Sequence, residues 1–344
     1  MIAPVVDLLF TGGLSILVTG ALLAFAPKPL GEHVPSLLPY ALTAAVTWPH
    51  FASSYRLLYA TRDRVLAYRT ASLYFPLALA AYGIFAVARS PVTPVHVHLL
   101  SLAAAVYLAR HYTGQTWGMM ASFAYVEGVT FTPRERRACQ LGLDLVMLWH
   151  MTWASAQSIG MVAPSLEPIA RRLDAHVDPL GIAAFALGLS GLFGMSIRTG
   201  AFPPARILAP WLALFGWYAL LRHDPSTLFV VQVSHALQYL IFPLRIEENG
   251  RPRGVSRIAP TRAAGWLTGL VLLSVASFAG IPALFRYSYA GAGGASDLPV
   301  AFTSVFVSFV NIHHYFVDSC LYKLRNPAVR RELFAHLPLQ AARG

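Results

Sequence analysis

Apolar residues in this chain gather into long continuous runs separated by short polar stretches. Many runs approach 20 residues, about the length a helix needs to cross a bilayer core. They do not alternate with period two, which excludes an outer-membrane barrel. The pattern predicts an all-α fold, a polytopic transmembrane helical bundle of about ten helices. The expected spans are 4–26, 34–58, 71–89, 95–122, 135–163, 179–197, 203–222, 226–244, 263–285 and 299–323. Proline marks many of the starts: Pro4, Pro35, Pro94, Pro179, Pro204 and Pro299. Its fixed φ and missing N–H suit a first turn. No soluble domain, low-complexity tract or long repeat interrupts the pattern, so residues 1–344 read as one membrane domain. Segments 245–262 and 286–298 read as loops, the second rich in Gly and Ala.

Composition agrees with the pattern. Hydrophobic residues make up 56% of the 344 positions and charged residues 12%. Soluble domains carry about 25% charged residues, so half that figure leaves too little polar surface to cover a water-soluble globule. The net charge of +11 is not a nucleic-acid footprint. Its arginines sit at the ends of apolar runs and in a few loops, where lipid headgroups and the positive-inside rule put them. Basic residues concentrate after the even-numbered helices: Arg62, Arg64 and Arg69; Arg134, Arg136 and Arg137; Arg198 and Arg206; Arg245, Arg251, Arg253, Arg257 and Arg262; then Lys323, Arg325, Arg330 and Arg331. Ten helices with both termini cytoplasmic satisfy that rule throughout, and imply the inner membrane of a bacterium. No Lys or Arg precedes the first run, so it lacks the basic start of a cleavable signal and reads as a retained helix. Cys139 and Cys320 both fall near cytoplasmic helix ends, where no structural disulfide is expected.

Candidate chemistry lies where polar residues interrupt the apolar helices, since such groups are costly in a membrane and usually face protein. Helix 2 carries Pro49-His50. Helix 4 carries Arg110-His111-Tyr112 and Gln115. Helix 5 carries Asp144 and His150. Helix 8 carries Gln232, His235, Gln238 and Tyr239, and helix 10 carries Asn311, His313, His314, Tyr315 and Asp318. Helical spacing sorts these into faces: Asn311, His314, Asp318 and Tyr322; Gln232, His235, Gln238 and Tyr239; Tyr107, His111, Gln115 and Gly118. Helices 2, 4, 8 and 10 run in the same direction through the membrane. His50, His235 and His314 lie six, ten and nine residues before the next basic residue, roughly 9–15 Å from the cytoplasmic end. They can share one layer. His111, sixteen residues before Glu127, falls nearer mid-membrane if its helix is straight. His33, His96, His98, His176, His223 and His336, near helix ends or in loops, read as ordinary hydrogen-bonded histidines, and His150 divides evenly between structure and function.

Three functional readings compete with a purely structural histidine layer. The first is a metal site. Imidazole suits iron, copper and zinc, and a neighbouring carboxylate favours non-haem iron. His50, His111, His235 and His313 or His314 would be ligands, with Asp318 a ligand or orienter. Gln115, Tyr239, Gln238, Asn311 and Tyr112 could hydrogen-bond a ligand's free ring nitrogen. Open coordination positions would take O₂, and apolar helix walls would hold a hydrophobic isoprenoid, carotenoid or lipid. The second is haem held by two axial histidines in an electron-transfer protein. The third is a transporter using histidine with Asp144 or Asp318 as a proton relay. Arg110 could steer an acidic headgroup, snorkel, or pair with Asp144.

At these residues the chain resembles the Brp/Blh family of bacterial membrane β-carotene 15,15′-dioxygenases, which bind iron through histidines on transmembrane helices and make retinal. Pro49-His50 matches the family's Pro-His pair in an early helix. Arg110-His111-Tyr112 lies about where a second histidine falls. His313 and Asp318 have the spacing of a late histidine followed five residues on by aspartate. The family's third motif has two histidines four apart; here His235 is followed by Tyr239. The family's Pro-His runs into a Gly-containing turn, and here Phe51-Ala52 follows. The resemblance implies His313 as a ligand, whereas helical spacing puts His314 on the face of Asp318, because i+4 shares a face and i+5 does not.

Overall fold

In a computed structural model, residues 1–251, 258–290 and 297–337 are described. They are all-helical, with no β-strand among them. Ten long helices coincide with the ten apolar runs: α1 Pro4–Phe25, α2 37–58, α3 Thr70–Arg89, α4 Val95–Val126, α5 Pro133–Ser158, α6 Asp178–Thr199, α7 Ala205–His223, α8 Leu228–Asn249, α9 Pro260–Tyr289 and α10 Asp297–Leu321. Six of these segments are long and apolar enough to cross a membrane: α1, α3, α6, α8 with its preceding turn, α9 and α10. That is the signature of a helical membrane protein. Two of the expected loops shrink. Residues 245–249 and 260–262 are helical, as are 286–290 and 297–298, because α8, α9 and α10 each run past the end of their apolar stretch. The remainder of those loops, including Arg253, Arg257 and the Gly/Ala segment 291–296, lies outside the described residues.

Burial separates an outer ring from a centre. The apolar windows of α1, α3, α6 and α9 are 17–28% buried, whereas those of α8 and α10 are 67% and 50% buried. Val5, Ile84, Ile182 and Leu284 present apolar side chains outward on the ring helices, as lipid-facing residues do. The polar faces of α8 and α10 turn inward against α2 and α4, where their cost can be offset by partners.

Proline shapes the helices that hold the site. Wide π-turns occupy Thr43–Thr47, Thr70–Tyr74 and Val275–Ala279, and each contains the residue four before a proline: Pro49, Pro76 and Pro282. A proline has no N–H to give that carbonyl and its ring clashes with it. Widening the preceding turn removes the clash without ending the helix.

Ion pairs at the bundle ends report the up-and-down order. Arg206 at the start of α7 reaches Asp7 at the start of α1 (3.3 Å) and Glu127 at the end of α4 (2.5 Å). Arg222 at the end of α7 reaches Asp178 at the start of α6, which is the opposite end. A short helix, Pro327–Phe334, folds back under the first end, where Arg64 pairs with Glu332. The chain's first and last described helices therefore begin and finish on one side of the bundle. The α5 start is fixed by a capping box: Thr132 Oγ1 accepts from the Glu135 N–H, and Glu135 accepts from the Thr132 N–H. Glu135 also binds Arg198 at 2.8 Å. Thr132→Ala is expected to lower stability by about 1 kcal/mol, read as a lower unfolding midpoint in detergent.

Candidate metal centre

His50, His111, His235, His314 and Asp318 converge between α2, α4, α8 and α10. All are 7% exposed or less. His111 Nε2 faces His235 Nε2 at 2.9 Å, and His314 Nε2 faces His50 Nε2 at 2.9 Å. Asp318 Oδ2 lies 3.4 Å from His314 Nε2 and 3.9 Å from His50 Nε2. One donor atom from each of His50, His111, His314 and Asp318 lies within 4.8 Å of all the others. Donors about 2.1 Å from a common ion sit roughly 3–4 Å apart, so the closer pairs already have ligand spacing and the widest would have to draw in by a few tenths of an ångström to hold one metal.

The surrounding side chains fix the rings. Ser54 donates to Asp318 Oδ1 at 2.6 Å, leaving Oδ2 turned to the histidines with no hydrogen-bond donor. Tyr315 stacks on His111 (4.5 Å between ring centres), Phe51 packs on His314 at 4.5 Å, and Tyr112 lies 4.4 Å from His235. Tyr239 meets the His50 ring edge-on at 5.4 Å. The Nδ1 atoms of His50, His235 and His314 are buried without a partner.

Other residues expected at the site do other things. His313 points away: its Nε2 is 2.8 Å from the Ala71 carbonyl, and its ring stacks on Tyr55 at 5.2 Å. Spacing explains this, since His313, one residue before His314, is turned about 100° from the face that His314 and Asp318 share. Gln115 donates to the backbone carbonyl of His235 (3.2 Å), tying α4 to α8 rather than touching a ring. Gln238 donates to the Thr11 carbonyl (2.9 Å), which lies in a wide turn of α1, Leu9–Gly13, broken at Gly12. Asn311 accepts from Tyr315 Oη at 2.8 Å and so acts on His111 through that ring. His150 has both nitrogens partnered, by Tyr218 Oη and the Ala105 carbonyl, and is structural. Arg110 and Asp144 are exposed and do not pair.

His111 lies level with the other histidines, closer to their layer than the straight-helix reading places it. The reason is that the helices end at different heights. From the histidine to the helix end there are seven residues in α10 and eight in α2, roughly 10–12 Å. In α4 and α8 there are fifteen and fourteen, roughly 21–23 Å. The extra turns project past the bundle and are covered by the C-terminal helix. Tyr125 lies 4.3 Å from Phe334, and Asn249 donates to the Glu332 and Leu333 carbonyls.

A cavity of about 140 Å³ adjoins the cluster and shares His235, Tyr112 and Tyr315 with it. Its walls are largely apolar, with Trp48, Phe51, Phe278, Phe306 and Val310 among them. The two π-turns at Thr43–Thr47 and Val275–Ala279 both contribute lining residues. Comparison with protein families, curated proteins and solved structures finds no match to this chain.

Proposed function

We propose that this protein is a membrane-embedded oxidoreductase in which four histidines and one aspartate hold a non-haem iron beside a pocket for a hydrophobic substrate. The observation that carries the reading is the convergence of three buried imidazoles, His50, His111 and His314, with Asp318, whose Oδ2 has no hydrogen-bond donor, and with His235 against His111. An all-nitrogen-and-oxygen donor set without thiolate suits iron among the redox metals. Iron bound there would supply the electron-transfer chemistry that O₂ needs in order to react with an organic substrate. The protein's own contribution is positional. Ser54 aims Asp318, Tyr315 and Phe51 lock the rings, and the apolar walls exclude water from the pocket. The proposal includes ten spanning helices with both termini cytoplasmic, in the inner membrane of a bacterium, as the distribution of basic loops favours. The Brp/Blh likeness at Pro49-His50 and His111 points in the same direction.

The haem reading is disfavoured by space. Imidazoles crowd each other at 4.5–6.3 Å between ring centres, which leaves no slot for a macrocycle between two axial ligands. A proton relay would need polar groups extending toward both faces, whereas these are gathered in one knot.

The test is elemental analysis with an absorption spectrum on protein purified in detergent without chelator. About one iron per chain with no Soret band supports the proposal; well-folded protein without metal overturns it. Ser54→Ala is expected to weaken iron binding about 10–100-fold, the usual effect of removing a ligand's hydrogen-bond partner, while Ser54→Thr keeps the hydroxyl and the affinity. Titration against a competing chelator reads both.

A further inference from the structure

The cavity beside the histidines is not lined as a pocket for a plain hydrocarbon would be. Thr47 is 7% exposed and its hydroxyl has no partner. Buried polar groups in proteins are nearly always paired, so an unpaired hydroxyl in a cavity wall is a feature to explain. Several threonines of neighbouring helices satisfy themselves, whereas Thr19 of α1 is, like Thr47, buried with an unpartnered hydroxyl but does not line this cavity. Thr113 and Thr116 donate to the carbonyls four residues back at 3.0 Å, and Thr303 does so at 2.8 Å. Thr47 closes the π-turn that precedes Pro49, where the ordinary i−4 geometry is broken. Its hydroxyl is thereby left available.

Thr43, Tyr112, Gln232, His235, Asn311 and Tyr315 also bring polar side chains to the cavity wall, Tyr315 and Asn311 already bonded to each other. His235 contributes a ring whose Nδ1 is buried without a partner. A histidine that binds metal through Nε2 carries its proton on Nδ1, and that proton usually donates to an oxygen. Gln232, one turn earlier on α8, faces the cavity and makes no hydrogen bond among the described residues. No Asp, Glu, Lys or Arg lines the space, so nothing there would balance a charged ligand. The volume resembles that of a cavity holding one benzene ring, about 150 Å³. It can enclose one end of a long molecule, with the remainder lying among the helices or in the bilayer.

We propose that this cavity takes the oxygen-bearing end of a neutral long-chain alcohol or carbonyl compound, recognised by Thr47 and Gln232 beside His235, in preference to a hydrocarbon of the same skeleton. The inference rests on reading the cavity as the substrate site of the proposed oxidoreductase, and it names the substrate class.

Farnesol and farnesene share a branched C15 skeleton; farnesene lacks the hydroxyl and ends in a diene instead, the product of losing water. Their binding to the detergent-purified full chain, as isolated and after chelator treatment, is followed by quenching of tryptophan fluorescence, with Trp48 in the cavity wall. Apparent affinities are compared as a farnesol-to-farnesene ratio in wild type and in Thr47→Val/Gln232→Leu, so that micelle partitioning cancels. The wild-type ratio is expected to exceed that of the variant about tenfold, the effect of one net hydrogen bond. Equal ratios in the two proteins overturn the proposal. If the variant does not fold, a wild-type ratio no greater than the partition ratio of empty micelles overturns it equally. Because the readout is binding, the two ideas fail separately. A preference in protein that never holds iron sinks the oxidoreductase reading alone. Iron without a preference sinks the substrate assignment alone.

Discussion

Replacing His314 by alanine is expected to reduce bound iron from about one per chain to less than about a tenth, while the same change at His313 leaves it near one. The two residues are adjacent and both buried. They differ in direction. His314 offers Nε2 to His50 at 2.9 Å and to Asp318 at 3.4 Å, so its loss removes a donor and leaves the carboxylate facing one ring fewer. His313 engages a backbone carbonyl of α3; its loss strands that carbonyl and should cost about 1–3 kcal/mol of stability without touching the metal. Metal content per folded chain, by elemental analysis, separates the two outcomes. Equal loss of iron in both variants would mean that the metal is held by the general integrity of α10, not by the geometry described. Retention in both would mean that no iron sits at this cluster.

Much of the architecture is legible in the chain because membrane burial leaves a coarse signature. Among the described residues the apolar runs are helical, six of them long and apolar enough to cross a membrane, and the i, i+4 relation picks out His314 and Asp318 as neighbours. What spacing cannot show is where a side chain ends up when its helix is wide, tilted or longer than its apolar stretch. His111 illustrates the last point. Its apparent depth reflects how far α4 runs on past it, and that projecting end packs Tyr125 on Phe334, some two hundred residues away in sequence. Gln238 illustrates another. It shares a face with His235, yet the carbonyl of Thr11 in the wide turn of α1 captures its amide. Asn311 was expected beside a ligand and instead holds Tyr315, which in turn stacks on His111. In each of these three cases the residue type is informative, since the polar group has found a protein partner. The partner's identity depended on tertiary contacts.

The prolines carry a signal that a helix count overlooks. Pro49, Pro76 and Pro282 appear to periodicity as interruptions to be tolerated, but each is preceded by a turn that has widened to accommodate it. Two of these turns border the cavity next to the histidines. The same local defect that relieves the proline clash frees Thr47 from its own backbone and so gives the pocket polar character.

The second large effect lies far from the histidines. Gly188→Ala is expected to destabilise the protein by about 3 kcal/mol, the upper end of the range for overpacking a rigid core. A methyl group at Gly188 would come within 1.9 Å of the Trp211 ring, and one at Gly142 within 2.8 Å of it. The fully buried indole of α7 therefore sits in a notch made by two glycines on α5 and α6, the small-residue contact by which membrane helices approach closely. The ring cannot swing aside, since Phe215 packs on it at 4.7 Å. Trp211→Phe alone should cost about 1–3 kcal/mol by leaving a cavity. In the double variant Gly188→Ala/Trp211→Phe the new methyl enters the space the indole vacated. Its loss should therefore fall short of the sum of the single losses by at least about 1 kcal/mol. Unfolding midpoints in detergent for the four proteins measure that coupling. Strict additivity would show that the notch and the ring do not meet, and that α6 is held to the bundle by contacts other than this one. Because α5, α6 and α7 supply none of the five residues of the cluster, iron content per folded chain should be unchanged across the set. That outcome would place the stability of the bundle and the chemistry of its centre on separate helices.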